Sequence, residues 1–215
     1  MTIRVALVDD HPVVIGGLDA ALSTVDDLTV VAHGANVAEA REILARDDVD
    51  VVLLDVRLPD GNGIELLAER RGRATGPAVV VLSSFMTSQY VGAALRYGAH
   101  GFLLKTAPLE DLVAAIRQVA AGGSAFTAEQ LRDGQQKFVS LTVREREVLR
   151  LVLEGRSNDE IGAALGAARK TVESHLGNLY LRYGVASRIE LALRAEREGW
   201  LELGPPPPPT QGSSG

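Results

Sequence analysis

The sequence predicts an open α/β domain with a parallel sheet in its first half, followed by an all-helical domain. Three observations support this fold class. Short apolar runs alternate with segments of helical spacing up to about residue 120. Two of these runs are continuous Val and Leu, which is typical of parallel strands that are buried on both faces. Beyond about residue 140, only helical spacing remains.

Five apolar runs are predicted to be strands, and a helical segment follows each of them. The predicted strands are residues 3–8, 28–32, 49–54, 79–82 and 101–104. The predicted helices are residues 13–22, 37–45, 63–68, 90–97 and 109–119. This alternation indicates an open parallel sheet, and such a sheet places its functional site in the crevice beyond the carboxyl ends of the strands.

Polar side chains stand where four of these strands end. Asp9 and Asp10 follow the first strand, Asp55 follows the third, Ser83 the fourth and Lys105 the fifth. Because the carboxyl ends of parallel strands meet at one edge of the sheet, we expect these five side chains to converge.

The chemistry of this group indicates phosphoryl transfer. Three neighbouring carboxylates repel one another unless a hard cation lies between them, and Mg²⁺ takes oxygen ligands. A carboxylate can also attack phosphorus, provided that cations and hydroxyl donors neutralise the phosphoryl oxygens. We therefore expect Asp55 to be the nucleophile and Asp9 and Asp10 to hold Mg²⁺. Lys105 and Ser83 would supply the remaining donors.

Each of these residues has a simpler interpretation when it is taken alone. An Asp at a strand end is commonly a turn residue or a helix cap, and Lys105 could be a solvated lysine. His11, beside the acidic pair, is better interpreted as a surface residue at a helix start than as a metal ligand. The combination of positions favours the phosphoryl-transfer site.

Composition limits the class of protein. The 215 residues suit two domains, and 46% hydrophobic with 23% charged residues is typical of globular proteins. The sequence has no Cys, which excludes disulfides and thiolate metal sites. It runs directly into a predicted strand and has no apolar stretch near about 18 residues, so we expect no signal peptide and no membrane partner. A cytoplasmic location is the corresponding expectation.

A linker is predicted at residues 122–139, with a short helix at residues 127–132. Beyond it, Thr142 and Glu145 have the spacing of a capping box, and Gly155 is expected to end the helix that follows. Asn158 is expected to cap a second, short helix that extends through Leu165. A turn at residues 166–168 separates it from a third helix at residues 170–182, and a fourth helix occupies residues 187–198.

The short helix, tight turn and longer helix are typical of a helix-turn-helix, whose second helix enters the major groove of DNA. On that second helix, the predicted inward positions are Val172, Leu176, Leu179 and Tyr180. The predicted outward positions, which are candidates for DNA contact, are Arg169, Lys170, Glu173, Ser174, Gly177 and Asn178. Cations at a helix start oppose the macrodipole, so Arg169 and Lys170 indicate a phosphate partner.

The motifs "VALVDDHPVV", "VDVVLLDVRLPDGNGIELL", "VVVLSS" and "GAHGFLLK" resemble the receiver domain of bacterial two-component response regulators, over about residues 1–121. The resemblance implies a flavodoxin-like five-stranded sheet and phosphorylation of Asp55 by a partner histidine kinase. It also implies that the backbone carbonyl of Arg57 is a third protein ligand to Mg²⁺. Phe102 stands at the position of the switch aromatic, which in this family is often Tyr.

The segment from "LTVREREVLRLVLEG" to "GVASRIELA" is similar to the four-helix LuxR-type domain of the NarL/FixJ class, over about residues 140–196. The resemblance implies base contacts around Glu173, Ser174 and Gly177 and phosphate contacts around Arg169, Lys170 and Thr171. Relatives often carry Lys at the position of Glu173, so the recognition rules of the family should not be transferred to this chain.

The sequence therefore predicts a transcription regulator gated by phosphorylation and not an enzyme. Its parts would be a receiver at residues 1–121, a linker at 122–139, a DNA-binding domain at 140–203 and a flexible tail at 204–215. In the resting state, the receiver would mask or misplace the second domain. The expected partners are a histidine kinase, double-stranded DNA and a second copy in the active state, with RNA polymerase as a further candidate.

Two alternatives stay open. A phosphate-independent regulator is the first, although such proteins usually lack the acidic pair or the Lys. An aspartyl-phosphate phosphatase is the second. It would need a general acid two residues after the nucleophile, where Arg57 stands.

Overall fold

The computed structural model describes residues 2–70, 76–136, 139, 141–201 and 203. The chain forms two compact units, Met1–Phe138 and Val139–Gly215. Each has its own hydrophobic core. Among the described residues, no helix combines the length and the apolar character needed to cross a membrane.

The first unit alternates strands and helices, as the sequence predicts. Its strands are β1 (Ile3–Val8), β2 (Leu28–Gly34), β3 (Val51–Asp55), β4 (Arg57–Leu58), β5 (Gly61–Asn62), β6 (Ala78–Ser83) and β7 (Gly101–Leu104). Its helices are α1 (Pro12–Leu22), α2 (Val37–Ile43), α3 (Gly63–Glu69), α4 (Ser88–Arg96), α5 (Leu109–Ala120) and α6 (Ala128–Gln136).

Five of these strands form one parallel sheet in the order β2-β1-β3-β6-β7. On one face, α1 and α5 pack over alternate strand residues such as Leu7, Leu53 and Leu82. The intervening residues Val52 and Val81 are also buried, so both faces of the sheet are covered. The predicted five-stranded parallel sheet is confirmed.

A small antiparallel hairpin, β4 and β5, follows β3 directly. It was not predicted, because strands of two residues carry no readable periodicity. The hairpin places Asn62 at the N-cap of α3, where its side chain accepts a hydrogen bond from the Ile64 backbone at 2.9 Å.

Helix α6 lies within the segment predicted to be a linker, and it is longer than the predicted helix at residues 127–132. It belongs to the first compact unit and packs against α4. Just before it, Ala125 forms a parallel bridge with Gly101 of β7, and its N–H donates to the His100 carbonyl at 2.7 Å.

The second unit contains α7 (Val143–Leu153), α8 (Asn158–Leu165), α9 (Arg169–Tyr183) and α10 (Arg188–Glu198). The capping box of Thr142 and Glu145 is present at the start of α7. The prediction that Asn158 caps α8 is wrong. The N-cap is Ser157, which forms a second capping box with Glu160, and Asn158 is the first helical residue.

The core of the second unit includes the predicted inward positions of α9. Val172, Leu176 and Leu179 are buried, and Tyr180 packs against them. Trp200, after α10, is 1% exposed in the same core. The tail predicted at residues 204–215 lies outside the described residues.

Candidate functional site

The five polar residues at the strand ends stand at the carboxyl edge of the sheet. Asp55 is the last residue of β3 and Ser83 the last of β6, while Asp9 and Lys105 follow β1 and β7 directly. Asp9, Asp55 and Ser83 are buried, although polar side chains are ordinarily exposed. Asp10 is partly exposed at the rim.

Lys105 bridges two of the carboxylates. Its Nζ lies 2.5 Å from Asp9 Oδ2 and 2.8 Å from Asp55 Oδ2. Burial raises the pKa of the Asp55 carboxyl, and the charge of Asp9 adds to this, while the Lys105 ammonium opposes it. For Lys105, burial acts to lower the pKa, but Asp55 and Asp9 outweigh it and hold the pKa above its usual value. Lys105 is therefore the internal counter-ion of the site.

The acidic group also has the donor set that a hard cation requires. Single ligand atoms of Asp9, Asp10, His11 and Asp55 all lie within 4.8 Å of one another. Asp9 Oδ2 and Asp10 Oδ1 are buried atoms, and their partners are the nitrogens of Lys105 and His11. Carboxylate oxygens in this arrangement fit Mg²⁺. His11 is mostly exposed, and its Nδ1 contacts Asp10 Oδ1 at 2.7 Å and Asp9 Oδ1 at 3.0 Å.

Ser83 is turned toward the loop that follows β6. Its Oγ donates a hydrogen bond to the Phe85 carbonyl at 2.8 Å and accepts one from the Phe85 N–H at 3.1 Å. Phe102, on the neighbouring strand β7, is 1% exposed. A phosphoryl group on Asp55 that recruited the Ser83 hydroxyl would take this donor away from Phe85.

Arg57 and Gly63 flank the end of β3. The Arg57 guanidinium carbon lies 5.8 Å from the centre of the Phe85 ring, and its Nε donates to the Tyr90 hydroxyl at 3.3 Å. A Cβ on Gly63 would lie 2.1 Å from the Asp55 carbonyl oxygen. Only glycine allows α3 to begin this close to the strand that carries Asp55.

The candidate nucleic-acid surface of the second unit is the outer face of α9. Lys170, Thr171, Ser174 and Asn178 are exposed there, and Gly177 is half-buried. Lys170 forms no ion pair with any described residue, so its charge is available to a phosphate. The left-handed Gly166 (φ 61°) ends α8 and forms the turn before α9.

Arg169 and Glu173 lie on the same exposed face and are paired with each other. Arg169 Nε donates to Glu173 Oε1 at 2.8 Å, and Arg169 Nη1 donates to Asp159 Oδ2 at 3.0 Å. One guanidinium thus joins the start of α8 to the start of α9. The helix-to-helix contact with Asp159 was missed from the sequence, because it depends on the tertiary turn between the two helices.

Two other residues near the first site were also missed. Gln130 of α6 is buried and donates from Nε2 to the Phe102 carbonyl at 3.1 Å. Gly63 gave one available signal, since it follows Asn62 at the start of a predicted helix, where a turn-forming pair is common. Gln130 gave none, because polar residues on a polar helix are ordinarily solvated.

Comparison with known proteins assigns a family to each of the two units. Residues 5–117 match the family model of the response regulator receiver domain. Residues 139–195 match that of bacterial regulatory proteins of the luxR family. The two matches fall on the two compact units.

Similar proteins extend over nearly the whole chain. The transcriptional regulatory protein DesR of Bacillus subtilis (strain 168) is 30% identical over 200 residues, covering 93% of this chain and all of DesR. UhpA of Salmonella typhimurium is 39% identical over 201 residues, covering 92% of this chain and all of UhpA.

Among solved structures, the response regulator RcsB in complex with DNA is 26% identical, with a TM-score of 0.63. That match covers 91% of this chain and 98% of RcsB. The chain therefore belongs to the two-component response regulators and is a transcription regulator that joins a receiver domain to a LuxR-type DNA-binding domain.

Proposed function

We propose that Asp55 is the phosphoacceptor of this regulator and that its phosphorylation controls DNA binding by α9. The observation that carries the proposal is the pair of contacts by which Lys105 holds both Asp9 and Asp55 at the carboxyl edge of the sheet. That arrangement combines a buried nucleophile, a fixed cation and an adjacent group of oxygen ligands.

The transfer uses Asp55 and Lys105 in their present positions and the Ser83 hydroxyl after it turns away from Phe85. A carboxylate oxygen of Asp55 attacks the phosphorus of a phosphohistidine on the kinase. The P–N bond breaks, and the histidine nitrogen keeps the electron pair and takes up a proton. Lys105 and the Ser83 hydroxyl then neutralise and bind the phosphoryl oxygens. Asp9, Asp10, Asp55 and the Arg57 carbonyl would hold Mg²⁺, which supplies further neutralisation of the phosphoryl charge when bound.

The output is DNA binding by a symmetric dimer. Phosphorylation adds about −1.5 to −2 charge at Asp55, by analogy with other phosphorylated side chains, and it biases the positions of the Ser83 loop and Phe102. Two copies would then bind half-sites related by two-fold symmetry. A cytoplasmic location, a histidine kinase partner and contact with RNA polymerase belong to the same proposal.

The phosphatase alternative lacks its general acid. Arg57 occupies that position, and its guanidinium contacts Tyr90 and Phe85. A guanidinium does not lose its proton in proteins, so it cannot act as the acid. We therefore propose a regulator without phosphatase activity. The phosphate-independent alternative is disfavoured because the acidic pair and Lys105 are all present.

The direct test is labelling by acetyl phosphate with Mg²⁺, followed by intact-mass measurement and operator binding. We expect one phosphoryl group per chain and tighter operator binding. Asp55→Asn should remove both effects and leave the fold unchanged, because the substitution is nearly isosteric. A label that persists in Asp55→Asn would contradict the assignment of the phosphoacceptor.

Asp10→Ala tests the proposed role of Asp10 in holding Mg²⁺. Because Asp10 is partly exposed and lies beside the nucleophile, its loss should weaken cation binding and preserve Asp55. We expect less phosphorylation at a given Mg²⁺ concentration and recovery at higher Mg²⁺. A deficit that no Mg²⁺ concentration restores would contradict this role for Asp10.

A further inference from the structure

Helix α6 lies on α4 even though its sequence is polar. In this helix of nine residues, Gln130 is 6% exposed and Gly134 is buried, while Leu131 is 38% exposed. An apolar stripe therefore does not explain the contact, because the main apolar side chain faces partly outward. Gln130 and Gly134 are the residues that fix the position of α6.

Gln130 uses both ends of its carboxamide. Its Oε1 accepts the Thr127 N–H at 2.9 Å, and its own N–H donates to Thr127 Oγ1 at 3.1 Å, which closes the N-terminus of α6. Its Nε2 donates to the Phe102 carbonyl at 3.1 Å and lies 3.8 Å from Met86 Sδ. One buried side chain thus joins the start of α6 to β7 and to the loop after Ser83.

Gly134 sets the distance between the two helices. A Cβ at this position would lie 2.6 Å from Leu95 Cδ1, 3.1 Å from Val91 Cγ1 and 3.3 Å from Gly92 Cα. The two backbones approach closely because Gly134 faces Gly92. The contact is therefore specific in position, although little apolar surface holds it.

The contacts of Gln130 fall on the two places that the proposed function expects to respond to a phosphoryl group. Met86 stands three residues after Ser83, in the loop that Ser83 Oγ holds through Phe85. Phe102, whose backbone carbonyl accepts from Gln130, stands at the position that the receiver resemblance implies for the switch aromatic. If Ser83 turns toward a phosphoryl group on Asp55, Phe85 loses its hydroxyl partner, and the Met86 loop is free to shift relative to Gln130.

We propose that α6 is a strap that rests on α4 in the unphosphorylated chain and that phosphorylation of Asp55 releases it through Gln130. The inference rests on the proposed function, since it takes Asp55 as the phosphoacceptor. Release lengthens the connection to the DNA-binding unit. Nine residues that change from about 1.5 Å per residue in a helix to about 3.3 Å in an extended chain add roughly 15 Å of reach.

Hydrogen exchange on the full chain tests the release. The chain is pulsed in deuterated buffer with and without acetyl phosphate and Mg²⁺, and intact mass gives the fraction labelled at Asp55. We expect the amides of residues 131–136 to exchange about 10-fold faster in the labelled chain and to stay unchanged in Asp55→Asn. Equal exchange in a labelled chain would overturn the strap and leave the proposed function standing. A chain that takes no label would contradict the proposed function and remove the basis of the strap.

Two substitutions in α6 test whether a change in this helix alters the phosphorylation site at Asp55. Gln130→Leu removes the polar contacts, and Gly134→Val forces α6 away from Leu95 and Val91 while Gln130 is kept. Coupling between sites is reciprocal at equilibrium, so both variants should exchange rapidly before phosphorylation and should bind beryllofluoride, a mimic of the phosphoryl group, several-fold more tightly than the parent chain does in the presence of Mg²⁺.

Arg132→Ala is the matched control, because Arg132 is an exposed residue of the same helix. It should behave as the parent chain does in both measurements. Rapid exchange in Gln130→Leu and Gly134→Val without any change in the affinity for beryllofluoride would show that α6 is uncoupled from Asp55 and would overturn the inference. Slow exchange of the sheet amides in all variants verifies that the receiver remains folded.

Discussion

At the scale of single residues, the guanidinium of Arg169 is shared between Glu173 and Asp159. An acidic side chain on a DNA-facing helix is repelled by phosphate unless it accepts a hydrogen bond from a base or offsets a neighbouring cation. We expect the second role, in which the two acids orient Arg169. Glu173→Ala and Asp159→Ala should then change affinity alike for all operator sequences and steepen the salt dependence, because one more cation becomes available to phosphate.

Selection on randomised half-sites at a fixed salt concentration distinguishes this role from direct reading of a base. If Glu173 accepts a hydrogen bond from cytosine N4, Glu173→Ala should relax the preference at one base pair by about 1 to 3 kcal/mol. Asp159→Ala should leave that preference unchanged. A change of sequence preference in Glu173→Ala alone would therefore contradict the orienting role.

The grouping of the residues at the strand ends could be predicted because it depends on the topology of the sheet and not on individual side-chain contacts. A parallel sheet brings the carboxyl ends of its strands together, so Asp9, Asp55 and Lys105 could be grouped from the sequence alone. Asp159 and Gln130 could not be found in this way. Their partners lie across a turn or on another element, and no spacing along the chain encodes such contacts.

At the scale of elements, the start of α7 is tied to the end of α9. Arg182 Nη2 donates to Glu145 Oε1 at 2.6 Å, and Thr142 completes the capping box with the same carboxylate. Burial acts to raise the pKa of Glu145, but hydrogen bonds from Thr142 and Arg182 outweigh it and hold the pKa below its usual range.

This pair should make the stability of the DNA-binding unit depend on pH. A carboxyl whose pKa is lower in the folded than in the unfolded chain stabilises the fold above the unfolded pKa, about 4.3 for Glu, and this contribution is lost as the pH falls through the folded pKa. Glu145→Ala should cost about 2 kcal/mol near neutral pH, through the lost cap and the lost partner of Arg182. The variant should also lose less stability than the parent chain on acidification.

Trp200 allows this measurement in the full chain. It is the one tryptophan of the sequence and lies buried in the core of the DNA-binding unit, so its fluorescence reports the unfolding of that unit. Glu147→Ala is the matched control on the same helix, because Glu147 forms a partly exposed pair with Arg144. It should cost about 0.5 kcal/mol or less. Equal costs for the two variants would contradict the importance of the pair of Glu145 with Arg182.

The presence of a strand or helix could be predicted wherever its apolar pattern extends over several residues. The residue at which an element begins or ends was harder to predict. The five parallel strands and the four helices of the second unit follow from apolar spacing. The cap of α8 was misplaced by one residue because Ser157 and Asn158 are both good N-cap types. The capping box with Glu160 decides in favour of Ser157. The packing of α6 on α4 could not be predicted from the sequence, because it depends on Gly134 and on the side-chain amide of Gln130 and not on an apolar pattern.

At the scale of the whole molecule, charge is unevenly divided between the units. Residues 1–138 contain 12 basic and 18 acidic residues, a net charge of −6, whereas residues 139–215 contain 10 basic and 10 acidic residues. The net charge of the DNA-binding unit therefore supplies no general attraction to DNA, and we expect its affinity to depend on the positions of individual cations such as Lys170. The acidic receiver opposes association with DNA at long range.

The fragment of residues 136–204 should therefore bind the operator without phosphorylation. It retains the core of the second unit and lacks the acidic receiver that would mask it. Gel-shift titration should give an affinity at least equal to that of the unphosphorylated full chain, and Lys170→Ala in the same fragment should weaken binding to all sequences alike. Weaker binding by the fragment than by the unphosphorylated full chain would mean that the receiver assists binding.

The burial of Trp200 also bears on the order in which the protein folds during synthesis. The receiver core is complete once Val119 has been made, whereas the core of the DNA-binding unit includes Trp200. Because the ribosome builds the chain from its N-terminus and domains fold as units, the receiver folds while the DNA-binding unit is still being translated. A nascent chain can therefore hold a competent receiver before it has any means of reading an operator.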